Sequence, residues 1–476
     1  MHWLQRRIGR IACAVGALAV AGVLGAGAVE PGSAPAAQAQ ASPIRHIVVL
    51  DMENHSFDNV LGYWCQDRPG RCHQSGMPRA VTFSNTAVVT PGTDPDVVPI
   101  VRHMVKDQVH AINGGKMNGW LQIPGCRAPP YWCVSGYKPR QIPNVSALAT
   151  RFAISDRTFS MADSPSWGGH LDIVTSNLDG FTGDIPRGKP PGVPQGRGWG
   201  CDSGRQGAWH SPGGGLKQEP SCVPDPSLTV PNGGAFRPSP VRYEPTIMDE
   251  LAAAGKSWRI YGARCTHEKV APDGLMTCAA DQSGYNWAIC PSLAECLYTQ
   301  EGDVVPSAQF TTDARAGDLP AFSVVIPTGA DSQHNGFSMT AGDDWLGQVA
   351  SAVMYGPQWH STVLFITWDD CGCFYDQVLP GINPDGTRQG PRVPLVIVSP
   401  YAKPHYTDST ATTFAGILAY TEQTFGLPAL GVNDAAAYPY TNAFDYSQKP
   451  LKPVHMVTRP IPRGDHIIWS QANEDS

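Results

Sequence analysis

One short stretch, Ser361–Gln377, constrains the fold of this chain more than any other. Within it, Val363–Trp368 is an unbroken apolar and β-branched run, too short for a typical helix and rich in strand formers. Such a run predicts a strand that is buried on both faces. Asp369 and Asp370 follow the run directly. In open α/β sheets ligands bind at the carboxyl ends of the strands, so this acidic pair is a candidate functional position.

A second group of oxygen donors in the sequence supports a functional role for the acidic pair. Two adjacent carboxylates at the end of a buried strand repel each other unless a cation or a proton lies between them, although a solvated Asp-Asp turn is the alternative. Ile44–Leu50 predicts a first strand, and Glu53 and Asn54 follow its carboxyl end. These two residues could instead begin a helix, since Asn and Asp are favoured caps. Together with Asp369 and Asp370, they predict an oxygen-rich site for one divalent cation.

The net charge of the chain bears on its possible partners, and the N-terminus bears on where the protein is located. The 476 residues carry 34 Lys and Arg against 41 Asp and Glu, a formal charge of -7 that does not suit a nucleic-acid binder. Residues 1–41 are interpreted as a signal peptide, because Arg6 and Arg7 precede an Ala/Gly/Val-rich run, Ile11–Val29. A retained membrane anchor is the alternative, and export could use the Sec or the twin-arginine route. We expect a protein that is secreted or held at the cell envelope.

Cysteine usage agrees with an oxidising compartment. The chain has 13 cysteines, and all but Cys13 fall into close sequential pairs beyond the predicted signal. Such pairs are expected to form disulfides, and nearest-neighbour pairing is the simplest connectivity. Cys371 and Cys373 are the exception, because a disulfide between two residues so close in sequence would close a small, strained ring. Ligation of a metal ion by the two thiolates is the alternative at this pair. The pairs are Cys65/Cys72, Cys126/Cys133, Cys201/Cys222, Cys265/Cys278, Cys290/Cys296 and Cys371/Cys373.

Strand and helix patterns alternate along the chain and predict an α/β fold. One domain is expected over 42–448, with a patternless C-terminal tail over 449–476. Region 185–240 is dense in Gly and Pro and is interpreted as an insertion that could shape a substrate mouth. Further strands are predicted at Phe152–Ser155, Trp258–Tyr261, Ala321–Ile326 and Val393–Val398, and helices at Asn144–Arg151, Glu244–Ala254, Trp345–Val353 and Phe414–Phe425.

Three side chains outside the acidic groups are candidates for chemistry. His103 and His110 lie in one stretch, Val101–Trp120, and an imidazole near a metal could bind a phosphate oxygen or shuttle a proton. A lone histidine of this kind is more often structural. Ser166 precedes a Gly-Gly pair that would let backbone amides approach an anion, which makes it a candidate nucleophile. An ordinary helix cap is the alternative for this serine.

Six segments, taken in their order and spacing, resemble the bacterial phosphoesterase family that holds phospholipases C and secreted acid phosphatases. The resemblance covers nearly the whole chain beyond the predicted signal. It implies a three-layer α/β/α alkaline-phosphatase-like core with long disulfide-stapled loops and one metal-centred site. The segments are H-I-V-V-L-D-M-E-N-H-S-F-D-N (46–59), D-Q-V-H-A-I-N-G-G-K-M-N-G-W (107–120), S-P-S-W-G-G-H-L (164–171), T-I-M-D-E-L-A-A-A-G-K-S-W-R-I-Y (246–261), T-W-D-D-C-G-C-F-Y-D-Q-V-L-P (367–380) and R-V-P-L-V-I-V-S-P-Y-A-K (392–403).

The resemblance also implies roles for individual residues. It implies hydrolysis of phosphate esters by an acid-phosphatase-like enzyme that uses one divalent metal ion and a phosphoserine intermediate. The expected substrate is a phosphate-ester small molecule or a phospholipid head group, and no stable protein partner is expected. The metal-side residues would be Glu53, Asn54, Asp369 and Asp370, the catalytic residues Ser166, His110, His170 and His334, and the substrate-binding residues Asn54 and His103.

The chain departs from the family pattern at three places. Gly168-Gly169 stands where Pro-Asn is usual, Gln377 stands where His is usual, and Cys371 and Cys373 flank a glycine in a loop that is usually free of cysteine. These departures put the substrate range and the pH profile in doubt more than the reaction class.

Three alternatives to an acid-phosphatase-like enzyme remain open. A phospholipase C is one, slightly less favoured because phospholipase members often carry β-rich domains after the core. A sulfatase is weaker, because Cys126–Pro130 lacks the Cys-x-Pro-x-Arg pattern. An exported, non-catalytic binding protein on the same scaffold is the alternative of another class, since a fold does not by itself guarantee a function.

Overall fold

The computed structural model describes residues 42–73, 76–188, 198–224, 241–270, 276–280 and 284–462, with the backbone alone at 265–270, 276–280 and 301. Its centre is an eight-stranded sheet with the strand order β4-β3-β5-β1-β6-β7-β2-β8. The strands are β1 (His46–Met52), β2 (Ala153–Ser155), β3 (Trp258–Tyr261), β4 (Val304–Val305), β5 (Phe322–Val325), β6 (Thr362–Trp368), β7 (Leu395–Val398) and β8 (Thr407–Asp408).

Three neighbouring strands in the middle of the sheet run parallel. β1 lies between β5 and β6, with Leu50 opposite Val325 on one side and Ile366 on the other. The register also places Met52 opposite Trp368. Because the carboxyl ends of these strands meet at one edge, the residues that follow them are brought together there. β7 is antiparallel to both β6 and β2, a direction that its apolar sequence does not reveal.

Helices pack against the strands of the sheet. Every residue of β6 is buried, as expected for a strand between two helical layers. The predicted α/β fold is therefore confirmed. The described residues form ten α-helices: α1 (Phe57–Gln66), α2 (Val105–Ile112), α3 (Pro143–Arg151), α4 (Ser166–Leu171), α5 (Ile247–Ala253), α6 (Ala294–Thr299), α7 (Gln309–Ala316), α8 (Met339–Met354), α9 (Ala415–Phe425) and α10 (Val432–Ala436).

Local sequence explains where several helices begin and end. The hydroxyl of Ser56 accepts from the backbone N–H of Asn59 at 3.2 Å and caps α1. Glu53 and Asn54 therefore precede the cap and do not begin the helix, which leaves their side chains available at the sheet edge. α5 begins with a reciprocal capping box between Thr246 and Asp249.

Region 185–240 contains more regular structure than its composition predicts. Gln206–His210 pairs with Leu216–Pro220 as an antiparallel hairpin. Gly and Pro obscure this pairing in the sequence because they interrupt the alternating pattern by which strands are recognised. Residues 189–197 and 225–240 of the predicted insertion lie outside the described part of the chain.

The cysteine pairing was predicted correctly for four pairs and wrongly for one. Cys371 and Cys373 are free and buried. Gly372 and Cys373 both have positive φ, 54° and 51°, so the chain turns sharply between the two thiols. The side chains of Cys265 and Cys278 lie outside the described part of the chain. The disulfides present are Cys65–Cys72, Cys126–Cys133, Cys201–Cys222 and Cys290–Cys296.

The predicted C-terminal tail is anchored to the domain as far as it is described. Residues 450–462 form no helix or strand. The backbone N–H of Val457 nevertheless donates to Asn144 Oδ1 at 2.8 Å, and Arg459 Nη2 lies 2.8 Å from Asp343 Oδ2. Hydrophobic pattern alone does not reveal this docking. Among the described residues, no helix has both the length and the apolar character needed to cross a membrane.

Candidate active site

The four predicted metal-side residues meet at the carboxyl edge of β1 and β6. The backbone N–H groups of Asn54 and Asp370 each donate to Asp369 Oδ1 at 2.8 Å. Glu53, Asn54, Asp369 and Asp370 are fully buried. Asn54 has a φ of 64°, in the left-handed region that Asn tolerates better than most residues. This conformation turns the chain between β1 and α1 and holds Asn54 against Asp369.

Several polar atoms of this group lack a hydrogen-bond partner among the described residues. They are Asp369 Oδ2, Asp370 Oδ2 and both side-chain polar atoms of Asn54. Leaving a buried polar atom unsatisfied costs about 1–3 kcal/mol, and more when it is charged. Burial, reinforced by Asp369, raises the pKa of Glu53 from 4.5 to about 8, and burial with Asp369 raises the pKa of Asp370 well above its usual value. A divalent cation would satisfy these oxygens, so the residues fit a metal ion.

His170, which the family resemblance implies as a catalytic residue beside the phosphate, lies in the acidic group itself. Its Nε2 lies 2.6 Å from Glu53 Oε1, and Glu53, His170 and Asp369 offer ligand atoms that all lie within 4.8 Å of one another. Burial lowers the pKa of His170, but Asp51 and Glu53 outweigh burial and hold this pKa well above its usual value. A proton on His170 therefore neutralises the carboxylates in the same place where a metal ion would.

Asp51 is a member of this group that the sequence analysis did not identify. Its Oδ2 lies 2.8 Å from His170 Nδ1, on the side of the ring opposite Glu53. Burial raises the pKa of Asp51 to about 6, although His170 opposes that shift. Asp51 and Glu53 are two residues apart at the end of β1, and side chains two apart in a strand point to the same face. That spacing was the available signal.

Ser166 is the first residue of α4 and contacts the acidic group directly. Its hydroxyl donates to Glu53 Oε2 at 3.0 Å. Pro165 is the N-cap of α4, so Ser166 is not the cap. A carboxylate that accepts from a serine hydroxyl can withdraw its proton, which is the arrangement an activated nucleophile requires. The predicted nucleophile and the predicted metal-side residues therefore share one buried hydrogen bond.

The two glycines after Ser166 are explained by close packing. A Cβ on Gly169 would lie 2.6 Å from the backbone O of Asp369, and one on Gly168 would lie 2.6 Å from Ser164 Cβ. Their amides do not face an anion, contrary to the expectation from the sequence. The N–H of Gly168 donates to the backbone O of Gly183 at 3.2 Å, and that of Gly169 donates within the helix. The Gly-Gly pair thus allows α4 to approach β6.

His103 and His334 form a second group beside the first. Their ring centroids are 6.0 Å apart, and the ring of Trp287 lies 5.4 Å from that of His334. In each histidine Nδ1 lies 3.0 Å from a backbone carbonyl oxygen, which can only accept. Nδ1 therefore carries the hydrogen, and Nε2 is an acceptor in the neutral ring. Burial, reinforced by His103, lowers the pKa of His334 to about 3.

The chain matches a known protein family over most of its length. The model of the Phosphoesterase family matches residues 44–428. The chain belongs to the Phosphoesterase family. This span includes every residue of the two groups described above, from Asp51 to Asp370.

Several phospholipases C are similar to this phosphoesterase. Non-specific phospholipase C1 of Arabidopsis thaliana is 24% identical over 75% of this chain and 61% of its own length. Phospholipase C A of Mycobacterium tuberculosis is 25% identical over 86% of this chain and 78% of its own length. The chain thus spans about three fifths of the length of the plant relative. A solved alkaline phosphatase superfamily protein from Vibrio parahaemolyticus aligns with 83% of this chain and 71% of its own, at 13% identity and a TM-score of 0.33.

Two expectations about this phosphoesterase need correction. His110 is exposed in the last turn of α2, so its side chain faces solvent and lies outside the buried groups. Gln377 also lies elsewhere: its backbone N–H donates to Asp58 Oδ2 at 3.1 Å, and its side chain donates to the backbone O of Gly76 at 2.8 Å. The change from His to Gln at this position therefore affects the support of α1 and not the acidic group.

The alternative of thiolate ligation at the Cys-Gly-Cys turn is not supported either. Burial, together with Cys371, raises the pKa of the Cys373 thiol well above its usual value. Among the described residues, the ligand atoms that lie close enough together to hold a metal ion belong to Glu53, His170 and Asp369, and no cysteine is among them. The glycine between the cysteines is required by the turn, since a Cβ on Gly372 would lie 2.1 Å from the backbone O of Asn54.

Proposed function

We propose that this protein is an exported, metal-dependent phosphoesterase that hydrolyses phosphate esters through a phosphoserine intermediate on Ser166. The observation that carries the proposal is the hydrogen bond from the Ser166 hydroxyl to Glu53 inside a buried acidic group that fits a cation. Membership in the Phosphoesterase family supports the same reaction class. The N-terminal signal remains an expectation from the sequence.

In the first step, Ser166 Oγ attacks phosphorus while its proton passes to Glu53 Oε2, 3.0 Å away. The bond between serine oxygen and phosphorus forms, the bond between phosphorus and the alcohol oxygen breaks, and the alcohol leaves with one proton. A water molecule then attacks the phosphoserine, releases phosphate and restores the serine hydroxyl. Neither step consumes or releases electrons, so no redox partner is required.

The metal ion would be held by Glu53, Asn54, Asp369 and Asp370. When bound, it would lower the pKa of the nucleophile and neutralise phosphoryl oxygens. Asp51 holds His170 at 2.8 Å and thereby fixes the orientation of the imidazole against Glu53. Asp51 and His170 are therefore proposed as positioning residues, and His170 also carries the proton that balances the acidic group.

His103 and His334 are proposed to contact the phosphate. In the neutral tautomer, Nε2 of each ring accepts hydrogen bonds. Binding of a phosphate anion would favour the protonated ring, which then donates to a phosphoryl oxygen. The same proton can pass to the leaving alcohol, so these two rings, and not His110, are the candidates for the general acid.

Phospholipase C activity is the second candidate function. It is favoured by the similarity to the phospholipases C of Arabidopsis thaliana and Mycobacterium tuberculosis. In both candidates Ser166 attacks phosphorus and an alcohol leaves, but the phospholipase C substrate is a diester that keeps its second ester bond, so water then releases a phosphate monoester and not inorganic phosphate. The first therefore predicts turnover of phosphate monoesters, and the second predicts turnover of a phosphodiester such as p-nitrophenylphosphorylcholine.

The test combines turnover with metal content in the purified protein with its disulfides intact. Hydrolysis of p-nitrophenyl phosphate and p-nitrophenylphosphorylcholine is measured across pH, after chelation and after each divalent metal is added back. Ser166→Ala should abolish turnover by at least about a thousandfold and retain the metal, whereas Asp370→Ala should lose both. Ser84→Ala is the matched control, because Ser84 is exposed.

Two outcomes would overturn the proposal. Full turnover by Ser166→Ala would show that no phosphoserine forms at Ser166. Metal retention by Asp370→Ala would show that Asp370 is not a metal ligand. If no metal supports turnover of either ester, the non-catalytic binding protein replaces the enzyme. Metal content is measured independently of turnover, so a failed substrate choice does not hide a correct metal site.

A further inference from the structure

A cavity of about 290 Å³ lies at the carboxyl-terminal end of α4, away from Ser166. α4 spans six residues, so its two ends are roughly 9 Å apart at 1.5 Å per residue. Asp172, the C-cap of α4, lines this cavity, and the exposed Asp385 and His210 lie at its mouth. The cavity is therefore open to solvent and ends on a buried carboxylate.

Asp172 is the unusual feature of this cavity. It is 1% exposed, and its Oδ2 forms no hydrogen bond with any described residue. A buried carboxyl oxygen without a hydrogen-bond partner is costly, and buried charges in proteins are normally paired or neutralised by a proton. None of the described residues that line the cavity is a Lys or an Arg. Among the described residues that line the cavity, His210 is the one side chain that could carry a positive charge, and the cavity has room for a further cation.

Asp385 adds a second negative charge and is held rigidly. Its Oδ1 accepts from the backbone N–H of Thr387 at 2.9 Å, and its Oδ2 accepts from Asn433 Nδ2 at 3.0 Å. Hydrogen bonds donated to a carboxylate favour its ionised form. Asn383 completes this polar wall, since its Nδ2 donates to the backbone O of Met161 at 2.6 Å. The cavity wall is thus preorganised and places two carboxyl groups together, and burial with Asp385 raises the pKa of Asp172 well above its usual value.

The lining also has an apolar part beside its polar side chains, which bears on the kind of cation that the cavity would bind. Met161, Leu178 and Phe181 line the cavity together with the polar wall. Ca²⁺ and Mg²⁺ are held by oxygen ligands, so they would make no use of the apolar part of the lining. A cavity of 290 Å³ has the volume of roughly ten water molecules at about 30 Å³ each, far more than one ion fills. An organic ammonium suits both parts, because its charge pairs with carboxylates and its carbon groups pack on Phe181.

We propose that this cavity is a binding site for a small organic ammonium ion, with Asp172 as its buried counter-ion and Asp385 as a second anionic contact. The site is separate from the acidic group at Ser166 and does not depend on the proposed hydrolysis. The ammonium could be a free amine or the cationic part of a phosphate ester. In both cases the same carboxylate and the same apolar wall recognise it.

Calorimetric titration of the full protein tests the proposal without any turnover. The probes are choline, ethanolamine, the uncharged choline isostere dimethylbutanol, and CaCl₂. Choline or ethanolamine should bind at one site, and dimethylbutanol should bind at least about tenfold more weakly, because an ion pair and a cation–π contact are lost. Asp172→Asn should weaken ammonium binding by about tenfold or more. Asp318→Asn, at an exposed aspartate, is the control and should change nothing.

Defined results would overturn the ammonium site. These are no binding by either amine, equal binding of choline and dimethylbutanol, Ca²⁺ as the only ligand, or unchanged binding in Asp172→Asn. If Asp172→Asn fails to fold, Asp385→Asn serves instead, since Asp385 is exposed, and a several-fold loss is expected. Competition between choline and p-nitrophenylphosphorylcholine hydrolysis then separates the two sources of the ammonium: competition indicates a substrate group, and binding without competition indicates a free amine.

Discussion

Two buried clusters of charged residues lie close in sequence and differ in how completely they are satisfied. We call them the acidic cluster (Asp51, Glu53, His170, Asp369 and Asp370) and the arginine cluster (Asp58, Asp376 and Arg392). In the arginine cluster, Nε and Nη2 of the fully buried Arg392 donate to the two carboxylate oxygens of Asp376 at 2.9 and 3.0 Å. Nη2 also donates to Asp58 at 3.1 Å, and Nη1 donates to the backbone O of Asp156 at 2.8 Å.

This difference distinguishes buried charges that stabilise the fold from buried charges that are available to bind a ligand. Every guanidinium nitrogen of Arg392 has an acceptor, and its charge lies 4.5 Å above the centre of the Phe57 ring. In the acidic cluster, four carboxylates share the single imidazole of His170, and Asp369 and Asp370 each leave one oxygen without a partner among the described residues. A completed network adds rigidity, whereas an incomplete one is tolerated where something else binds.

Arg392→Met should give the largest change in stability. It leaves Asp58 and Asp376 buried without their cation, and breaking a buried pair from one side costs about 3–5 kcal/mol. Chemical denaturation of the disulfide-intact protein, measured with the metal ion bound, should show this loss in the free energy of unfolding. Arg315→Met, at an exposed position in the last turn of α7, is the control and should stay within about 0.5 kcal/mol of the parent. A loss as small as that control would mean that the arginine cluster is not structural.

The central strands were predictable because their patterns are local. The run Val363–Trp368 was predicted as a buried strand and lies within β6, Thr362–Trp368. Trp258–Tyr261 was predicted with the bounds that the structure shows. The direction of β7 was not predictable, because a buried apolar run is the same for parallel and antiparallel pairing. The edge strand Thr407–Asp408 is too short to carry any periodicity.

The sequence predicts the site residues that directly follow a central strand. It does not predict which other residues belong to the site, because that depends on contacts in the folded protein. Glu53 and Asp369 each follow a central strand, so the meeting of carboxyl ends brings them together. Asp51 was overlooked because it lies inside β1, where a charged residue is unexpected. His110 was assigned to the site from the family resemblance, and the sequence does not show which side of α2 faces solvent.

The pH dependence of stability should distinguish the metal-free from the metal-bound protein. The raised pKa of Glu53, about 8 against 4.5, means that the folded state keeps a proton that the unfolded state releases. Its stabilising effect is complete below about pH 4.5 and is lost as pH rises toward 8, at up to about 1.4 kcal/mol per pH unit. The raised pKa of His170 acts in the same direction above about pH 6.5.

The melting temperature of the chelated protein should therefore fall as pH rises from 5 to 8. Metal-saturated protein should show a smaller fall, because a bound cation replaces the proton that Glu53 holds. The burial-raised pKa of Asp58, about 7, contributes equally to both samples and cancels in the comparison. Identical pH profiles with and without metal would show that the metal ion does not bind at the acidic cluster.

The same substitution made in each cluster should change stability in opposite directions. In chelated protein at pH 8, Asp370→Asn should raise the free energy of unfolding by about 1 kcal/mol, because it removes a buried carboxyl group whose ionised form is disfavoured by burial and by Asp369. Asn retains the oxygen that accepts from the backbone N–H of Gly372 at 2.6 Å. Asp376→Asn should lower the free energy of unfolding by about 2 kcal/mol, because it removes the charge that pairs with Arg392.

Denaturation of both variants with and without metal completes this comparison. Asp370→Asn should gain stability only in chelator and should show no further increase when metal is added, since it has lost a ligand. Asp376→Asn should gain as much from added metal as the parent does, because the arginine cluster lies outside the metal site. If Asp370→Asn destabilised the chelated protein as much as Asp376→Asn, the acidic cluster would be a satisfied structural network, and its unpartnered oxygens would no longer argue for a bound cation.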